Sequence, residues 1–257
     1  MESGGRGVRC LRCRVTREDG RVPVVLASAP LTLFGEILSA ARSALRGSET
    51  EYYGRLVHRR RQESFLVGRW VAKHAAAHWQ GEGDVGSIEI ARGVFDQPLV
   101  RGGRTGGCCI SLSHDDRWAA ALVFPEGHPM GLDVETVDPA RVETIVGQLT
   151  GLERDWMGAA PDPALLATAL WTAREALSKA VGCGLTVPSS VLALKDFTAV
   201  ESGTWTGTFA QFSQYQSRTV VAGRTLVSIV LPRRSDPGDS RQWAEIFSQP
   251  APGRGCH

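Results

Sequence analysis

Two carboxylates lie one residue apart in the stretch GLDVETV, at residues 131–137. The run around them is apolar and predicts a strand, and residues two apart on a strand point to the same face. Like charges side by side destabilise a strand unless a cation lies between them. Asp133 and Glu135 therefore either face water on an exposed edge strand or hold a cation, and carboxylate oxygens are the ligands that Mg²⁺ prefers.

A second group lies at helical spacing. In WTAREALSK, Trp171, Glu175 and Lys179 recur every four residues, which places them near one stripe of a helix. A Glu–Lys pair at this spacing is most often a surface pair that contributes about 0.2–0.5 kcal/mol. The large aromatic ring on the same stripe indicates that the stripe faces protein, so a functional role stays open beside the surface interpretation.

A third group, Ser113 and His114, interrupts an apolar strand pattern with a hydroxyl and an imidazole. These groups would suit a phosphate, and an ordinary hairpin turn at 115–116 explains them equally well. A Ser/His hydrolase is disfavoured, because no G-x-S-x-G elbow surrounds either serine and because such triads do not form between sequence neighbours.

A basic set precedes and enters a long predicted helix. Arg69 and Lys73 are four residues apart on that helix and would jointly hold a phosphate, one as a fork and the other as a point charge. The run HRRRQ at 58–62 is by itself typical of a solvated helix start. The set consists of Arg55, Arg59, Arg60, Arg61, Arg69 and Lys73.

Charge and composition narrow the class of protein. The 257 residues suffice for one large domain or two modest ones. A formal net charge of +2 argues against a nucleic-acid binder, but residues 1–110 carry about +6 and residues 111–257 about −4, which suits a polyanion held together with a divalent metal. The sequence shows no secretory leader and no run near the roughly 18 apolar residues of a membrane span. With six scattered cysteines, this predicts a cytoplasmic protein with reduced thiols.

The elements that must position these groups alternate between helix and strand patterns, which predicts an α+β fold. A long helical pattern precedes strands in each half, and this faint echo indicates two similar halves with a cleft between them as a natural ligand site. The predicted division is a flexible N-terminal segment (1–20), an N-terminal half (21–125), a C-terminal half with the metal site (126–232) and a C-terminal tail (233–257) that could hold a short helix near Trp243.

In this order, the motifs resemble those of the 4′-phosphopantetheinyl transferases of the Sfp type. That family shows G-x-D-x-E on a strand, W-x-x-x-E-x-x-x-K on a later helix and a Ser-His turn upstream, which match residues 131–135, 171–179 and 113–114. FLVGR at 65–69 and GCGLTVPSS at 182–190 resemble two further family segments. The resemblance covers residues 55–195, and its specificity lies in the shared order of motifs that are individually weak.

The resemblance implies a pseudo-twofold pair of similar α+β halves, the active site at the interface between them, and a monomer rather than the trimer of the short branch of this activity. It implies Mg²⁺-dependent transfer of the phosphopantetheine arm of coenzyme A to a serine of an apo acyl or peptidyl carrier protein, with release of adenosine 3′,5′-bisphosphate. Such carriers serve polyketide and nonribosomal peptide biosynthesis. No nucleic-acid or membrane partner is implied.

Carried over residue by residue, the resemblance assigns Asp133, Glu135 and Glu175 to the metal. Glu175 would also accept the serine proton, Lys179 would contact the pyrophosphate, and His114 would take part in catalysis. The coenzyme A pocket would be formed by Arg61, Arg69, Lys73, Asp96, Gln97, Pro98, Ser113, His114 and Lys179.

Two positions depart from the family pattern. Many members have Gly-Lys-Pro where this chain has Asp96, Gln97 and Pro98, so a lysine expected near the phosphates is missing. Arg174 precedes Glu175 where a lysine is frequent, which keeps the charge. Two other functions compete with the transferase: a non-catalytic relative that binds coenzyme A or carrier proteins, and an unrelated Mg²⁺-dependent phosphohydrolase, for which the usual phosphate loop is missing.

Overall fold

The computed structural model describes residues 2–4, 7–81, 83–103, 106–201 and 203–248. Its strands are β1 (Glu2–Gly4), β2 (Val8–Arg17), β3 (Gly20–Pro30), β4 (Glu89–Arg92), β5 (Pro98–Arg101), β6 (Cys108–His114), β7 (Trp118–Pro125), β8 (Gly131–Thr136), β9 (Leu194–Glu201), β10 (Thr204–Phe209), β11 (Tyr215–Ala222) and β12 (Thr225–Pro232). Its helices are α1 (Phe34–Ser43), α2 (Gly47–Gly54), α3 (Arg59–Trp79), α4 (Pro139–Gln148), α5 (Gly151–Gly158), α6 (Pro163–Ala180) and α7 (Arg241–Glu245). Residues 249–257 of the predicted tail, with Cys256, and residues 1, 5 and 6 of the predicted N-terminal segment lie outside the described residues.

The strands form two five-stranded antiparallel sheets and one separate hairpin, so the predicted α+β class is confirmed. The first sheet has the order β1-β2-β3-β7-β6 and the second the order β8-β12-β11-β10-β9, while β4 pairs with β5. Helix α3 packs on β3 and β7, and helix α6 packs on β8 and β12. Each sheet therefore buries one face against a long helix.

Both sheets are built from the same order of elements. After β3 come three helices, the hairpin, β6 and β7; after β8 come three helices, β9, β10, β11 and β12. The strands then lie side by side as β3-β7-β6 and as β8-β12-β11. This order is compatible with the predicted pair of similar halves, and the twofold relation between them stays a prediction.

The two long helices also share residues at a constant offset. Trp70 and Lys73 of α3 lie 101 residues before Trp171 and Arg174 of α6. Lys73 and Arg174 are both almost completely buried, with 1% and 2% of their surface exposed. Buried cations of this kind require a buried partner, and each helix has one.

Glu49 and Glu153 are those partners, and they occupy equivalent places. Each is the third residue of a short helix, α2 or α5, and its carboxylate accepts the backbone N–H of the residue that caps that helix. Each also accepts an amide 41 residues further along the chain, Ile90 N–H at 3.1 Å and Leu194 N–H at 3.0 Å. One carboxylate thus joins a short helix to the strand region that follows the long helix.

The cations complete these networks. Lys73 Nζ lies 2.7 Å from Glu49 Oε2, donates to the carbonyl of Ala44 at 2.9 Å and also donates to the carbonyl of Ile88. Arg174 likewise binds its carboxylate and two backbone carbonyls. All three protons of the Lys73 ammonium are therefore used inside the protein.

The ends of the chain correct two predicted boundaries. Val8 and Val15 of β2 are buried in a sheet strand, so the flexible assignment of residues 1–20 is wrong where they are described. Trp243 and Phe247 are buried against the core between the sheets, and Ser28 Oγ donates to the carbonyl of Ile246 at 2.6 Å. The Gly, Pro and Arg content of both ends concealed these apolar contacts, although the short helix near Trp243 is present as α7. The boundary at 125/126 stays a prediction.

Two further properties concern the described residues as a whole. None of their helices is long and apolar enough to cross a membrane. Cys10, Cys13, Cys108, Cys109 and Cys183 form no disulfide among the described residues.

Replacing Lys73 with methionine tests the first buried network. The substitution leaves the buried Glu49 carboxylate without its hydrogen-bonded cation, with Arg69 still 3.8 Å away, and removal of one partner of a buried ion pair typically costs about 3–5 kcal/mol. We expect the free energy of unfolding, measured by urea titration, to fall by that order. Arg59→Gln is the matched control, because Arg59 forms an exposed ion pair with Glu63 and such pairs contribute about 0–1 kcal/mol. Equal losses in both variants would contradict the network.

The loop between β7 and β8 contains a buried histidine, His128, that makes the stability of the protein depend on pH. His128 is 4% exposed, and its Nε2 lies 2.9 Å from Ser235 Oγ. Burial, followed by the charge of Arg17, lowers the pKa of His128, although Asp19 opposes this shift. Below the unfolded value of about 6.5 the unfolded chain therefore binds a proton that the folded chain does not. Stability should fall as the pH drops through that range and should be unaffected by His128 above it.

Urea titrations at pH 7.5 and pH 5.5 measure this effect as a difference between variants. His128→Gln should lose less stability than the wild type over this interval, by at most about 1.4 kcal/mol per pH unit. The exposed His58→Gln control should follow the wild type. A His128→Gln variant with the wild-type pH dependence would contradict the assignment.

Candidate active site

The candidate site is positioned by an unusually close approach of α6 to β8. Gly131, the first residue of β8, lies so near the helix that a Cβ atom there would be 1.9 Å from the carbonyl oxygen of Ala176 and 2.7 Å from the amide nitrogen of Ala180. Only glycine permits this contact. Glu175 and Lys179 flank Ala176 on the helix, and the close approach brings them beside Asp133 of the strand.

The neighbouring edges of the two sheets meet at the same place. β6 and β8 are edge strands, and the outward N–H groups of β8 need acceptors. Ser111 Oγ accepts Leu132 N–H at 3.0 Å, and Ser113 Oγ accepts Val134 N–H at 3.2 Å. Serine hydroxyls of the first sheet therefore complete the edge of the second, and the acids of β8 lie at this junction.

Asp133 is the centre of the site. It is 4% exposed, and its Oδ1 accepts the hydroxyl of Ser113 at 2.7 Å and the ammonium of Lys179 at 2.7 Å. Its Oδ2 is buried without a hydrogen-bond partner among the described residues. A buried carboxylate oxygen of this kind is costly unless a cation or donor reaches it.

The other two acids are electrostatically coupled to Asp133. Burial, and then the charge of Asp133, raises the pKa of Glu135 to about 7 and that of Glu175 to about 7. Arg141, in the first turn of α4, donates to both oxygens of Glu135, at 2.7 and 3.3 Å. The three carboxylates predicted as metal ligands are therefore close enough to repel one another.

This donor set fits a hard divalent cation. Three carboxylates on a strand and a helix are near enough for their charges to interact, one oxygen is buried without a partner among the described residues, and oxygen ligands suit Mg²⁺. Among the described residues, no group of three or more His, Cys, Asp or Glu side chains is arranged so that it could hold a metal ion without rearrangement. Lys179 and Arg141 bind two of the acids instead, so a metal would have to replace these contacts.

A cavity of about 630 Å³ lies beside the acids and extends along β6. Residues 109–114 of that strand all line it, with α3 and the β4–β5 hairpin on one side and the end of α6 on another. Four side chains bring cationic or titratable nitrogen to its wall: Arg69, Arg92, His114 and Lys179. A cavity of this size, with bases on its wall and acids at its edge, suits a phosphate-bearing ligand with a metal.

Arg69 is the best placed of these bases for an anion. Its guanidinium lies over the ring of Phe65, 4.7 Å from the ring centroid, and its Nε is 3.8 Å from Glu49, beyond a direct hydrogen bond. Nε is buried without a hydrogen-bond partner among the described residues, and burial lowers the pKa of Arg69. A phosphate in the cavity would supply the missing acceptor.

His114 lies at the end of β6 and lines the same cavity. Desolvation, followed by the positive charge of Lys179, lowers the pKa of His114. A neutral imidazole is therefore favoured at neutral pH, with one nitrogen as donor and the other as acceptor. Ser113 lines the cavity too, but its single proton is already donated to Asp133, so a phosphate contact would require that bond to break.

The hairpin contains the three predicted pocket residues that correspond to the Gly-Lys-Pro of the family, with Gln97 in place of the lysine. Asp96 has a positive φ of 62° and forms an ion pair with Arg92 at 2.8 Å. Gln97 Oε1 accepts the backbone N–H of Phe95 at 2.9 Å, so this side chain stabilises the turn rather than reaching across the cavity. Asp96, Gln97 and Pro98 all line the cavity wall.

The structure does not bring two of the predicted pocket residues to the cavity. Arg61 is exposed near the start of α3 and is not part of the cavity wall. The prediction for Lys73 is wrong, because its ammonium is buried and bound to Glu49, and Lys73 is not part of the cavity wall. The four-residue spacing from Arg69 could not distinguish a cavity contact from a core contact.

Sequence reasoning missed several residues of the site. Arg141 is six residues after Glu135 and across a turn, so no helical or strand spacing links them. Ser111 sits two residues before Ser113 on β6 and was detectable by strand alternation. Arg92, which stacks on Tyr52 at 4.4 Å from its ring centroid, had no sequence signal beyond its charge.

The fold and the site together define an α+β protein with a carboxylate-rich centre beside a cavity that has four basic side chains on its wall. Residues 129–229 match the family model described as the 4′-phosphopantetheinyl transferase superfamily, so this part of the chain is similar to the domain of that superfamily. The matched segment contains all three carboxylates and Lys179. No curated protein matches the chain. The family match supports phosphopantetheinyl transferase activity in general, with coenzyme A as a substrate and carrier proteins as acceptors.

Gly131→Ala tests whether the close approach of α6 positions the site. A Cβ at 1.9 Å from a backbone oxygen forces the helix away from the strand. Overpacking typically costs about 1–3 kcal/mol, and a displacement near 1 Å at a reacting centre lowers rates by about 10²-fold. We expect both losses, measured by urea unfolding and by kcat/KM for carrier modification.

Gly147→Ala is the matched control, because Gly147 lies in α4 with nothing within 4 Å of the added Cβ. It should gain up to about 1 kcal/mol of stability from helix propensity and retain activity. Wild-type stability and rate in Gly131→Ala would show that the close contact does not position the site.

Proposed function

We propose that this protein transfers the 4′-phosphopantetheine arm of coenzyme A to a serine of an apo acyl or peptidyl carrier protein, with Mg²⁺ as cofactor. The observation that carries this proposal is the junction of the two sheets. There, three mutually coupled carboxylates and Lys179 meet at the edge of a cavity whose wall contains further bases. The superfamily match over the same residues supports the assignment.

Asp133, Glu135 and Glu175 would hold the metal. When bound, Mg²⁺ would neutralise charge on the pyrophosphate of coenzyme A and orient it for in-line attack. The partnerless Oδ2 of Asp133 and the raised pKa of both glutamates support a cation at this place.

Glu175 is the proposed general base. In the metal-free protein, burial and the charge of Asp133 raise the pKa of Glu175 to about 7, and a bound dication would lower it, so that the carboxylate would be ionised and able to accept a proton at neutral pH. It would accept the proton of the carrier serine as the serine oxygen forms its bond to the β-phosphorus. The bond between that phosphorus and the bridging oxygen breaks, and adenosine 3′,5′-bisphosphate leaves.

The bases on the cavity wall have two proposed roles. Lys179, now on Asp133, would contact the pyrophosphate and stabilise the charge that develops on the leaving group. Arg69 and His114 would bind coenzyme A phosphates, with Arg69 at the 3′-phosphate. Gln97 already binds its own turn, which supports a nucleotide site that depends on Arg69 and its neighbours rather than on a hairpin lysine.

Further parts of the proposal concern the type and setting of the enzyme. The repeated order of elements in one chain supports the Sfp type and a monomer with its site at the interface between the halves. A cytoplasmic location and a role in polyketide or nonribosomal peptide biosynthesis follow from the resemblance of the motifs. The alternative is a non-catalytic relative that binds coenzyme A or carrier proteins, and the missing hairpin lysine favours it.

Intact-mass spectrometry of apo carrier proteins separates these functions. Acyl and peptidyl carriers are incubated with coenzyme A, Mg²⁺ and the wild type, Asp133→Asn or Glu175→Gln. We expect the mass of one phosphopantetheine arm on the carrier with the wild type, loss of this gain with EDTA, and a drop of at least about 10²-fold in rate for both variants, as for removal of a key catalytic group.

Arg154→Gln is the matched control, since Arg154 is exposed on α5 and its loss should leave the rate unchanged. Folded wild-type protein that binds coenzyme A but modifies no carrier would support the binding alternative. A mass gain that survives Glu175→Gln would remove Glu175 as the base.

A further inference from the structure

Arg141 occupies a ligand position of the proposed metal site. Its Nη1 donates to Glu135 Oε2 at 2.7 Å and its Nη2 to Glu135 Oε1 at 3.3 Å, so both oxygens of this carboxylate are engaged by one guanidinium. The Glu135 side chain is 14% exposed and the Arg141 side chain 49% exposed. A metal ion cannot bind Glu135 until at least one of these hydrogen bonds breaks.

The position of Arg141 on its helix is locally unfavourable. It lies two residues after Pro139, in the first turn of α4, where the helix dipole disfavours a cation by about 0.3–1 kcal/mol. A residue that contradicts local preference usually serves another contact. The bidentate contact with Glu135 is that contact.

Together, two monovalent side chains supply the charge that a divalent metal would bring. Lys179 binds Asp133 at 2.7 Å, and Arg141 binds Glu135. Lys179 has a proposed role toward the pyrophosphate, whereas Arg141 is absent from the cavity wall. The position of Arg141 is therefore explained by its contact with Glu135 and not by a role in the cavity.

We propose that Arg141 is an internal counter-cation that holds Glu135 in the metal-free protein and competes with the metal for it. This inference rests on the proposed metal site. In the metal-free state, Arg141 offsets the repulsion among the three acids. Glu135 would have to release the guanidinium before it could bind a dication, so Arg141 would set how much metal is needed to fill the site.

Two other carboxylates lie near enough to affect Arg141. The charges of Asp116 and Asp138 act on Arg141 in addition to that of Glu135. Asp116 is exposed and contacts Arg60, and Asp138 caps α4 by accepting Ala140 N–H at 3.0 Å. The surroundings of Arg141 are therefore acidic beyond Glu135 itself.

The test measures metal binding and stability in the absence of coenzyme A and carrier protein, so that it does not depend on transfer. Mn²⁺ is the probe, because free Mn²⁺ can be counted by electron paramagnetic resonance. We expect Arg141→Gln to bind Mn²⁺ three- to tenfold more tightly than the wild type. We also expect a lower Tm for Arg141→Gln in EDTA and a larger rise in Tm on addition of Mn²⁺.

Two comparisons tie the effect to Glu135. Arg154→Gln removes the same charge from the neighbouring helix α5 and should keep the wild-type Kd for Mn²⁺. Arg141→Gln combined with Glu135→Gln should bind Mn²⁺ no more tightly than Glu135→Gln alone, because the competition has no carboxylate left to act on.

Weaker Mn²⁺ binding by Arg141→Gln would overturn the inference and show that Arg141 supports Glu135 in the metal-bound state. An unchanged Kd would also overturn it. If neither protein binds Mn²⁺ while the wild type still modifies a carrier, this inference fails and the transferase stands. If metal binding and transfer are both missing, the proposed function fails with it.

Discussion

The contact between Gly131 and the backbone of α6 is the constraint on which the site depends. A Cβ atom on Gly131 would lie 1.9 Å from the carbonyl oxygen of Ala176, so there is no space for any side chain at this position. The helix therefore crosses β8 at one fixed place, and the acids of both elements face each other there. The G-x-D-x-E and W-x-x-x-E-x-x-x-K patterns are then two parts of one contact, because the glycine of the first admits the helix of the second.

The buried ion networks link the long helices to neighbouring elements. Glu153 and Arg174 join α5, α6 and the start of β9, and the direct neighbour of Arg174 is Glu175. Burial of an ion pair is weak evidence for net stability, but removal of one partner is costly. We expect the networks chiefly to specify where each long helix lies. In α6 the network also positions Glu175, the proposed general base, because Glu175 directly follows Arg174.

The sequence predicted those parts of the site whose spacing is local. Strand alternation placed Asp133 and Glu135 on one face, and helical spacing placed Glu175 and Lys179 on one stripe. It failed where the partner lies far along the chain: Lys73 has the same spacing from Arg69 as a phosphate ligand would, and only the position of Glu49 directs it into the core. Strand β2 and the burial of α7 were missed for the same reason, since the apolar residues of both pack on a core formed by both large sheets.

The distribution of charge along the chain agrees with a site at the junction of the two sheets. Arg69 and Arg92 come from residues 1–110, whose charges sum to a positive value, whereas the three carboxylates and Lys179 come from residues 111–257, whose sum is negative. Neither half alone offers both a base-lined wall and a carboxylate centre. A ligand that combines phosphates with a divalent metal is attracted to both, so its binding would reinforce the junction that the Ser111 and Ser113 hydroxyls already hold.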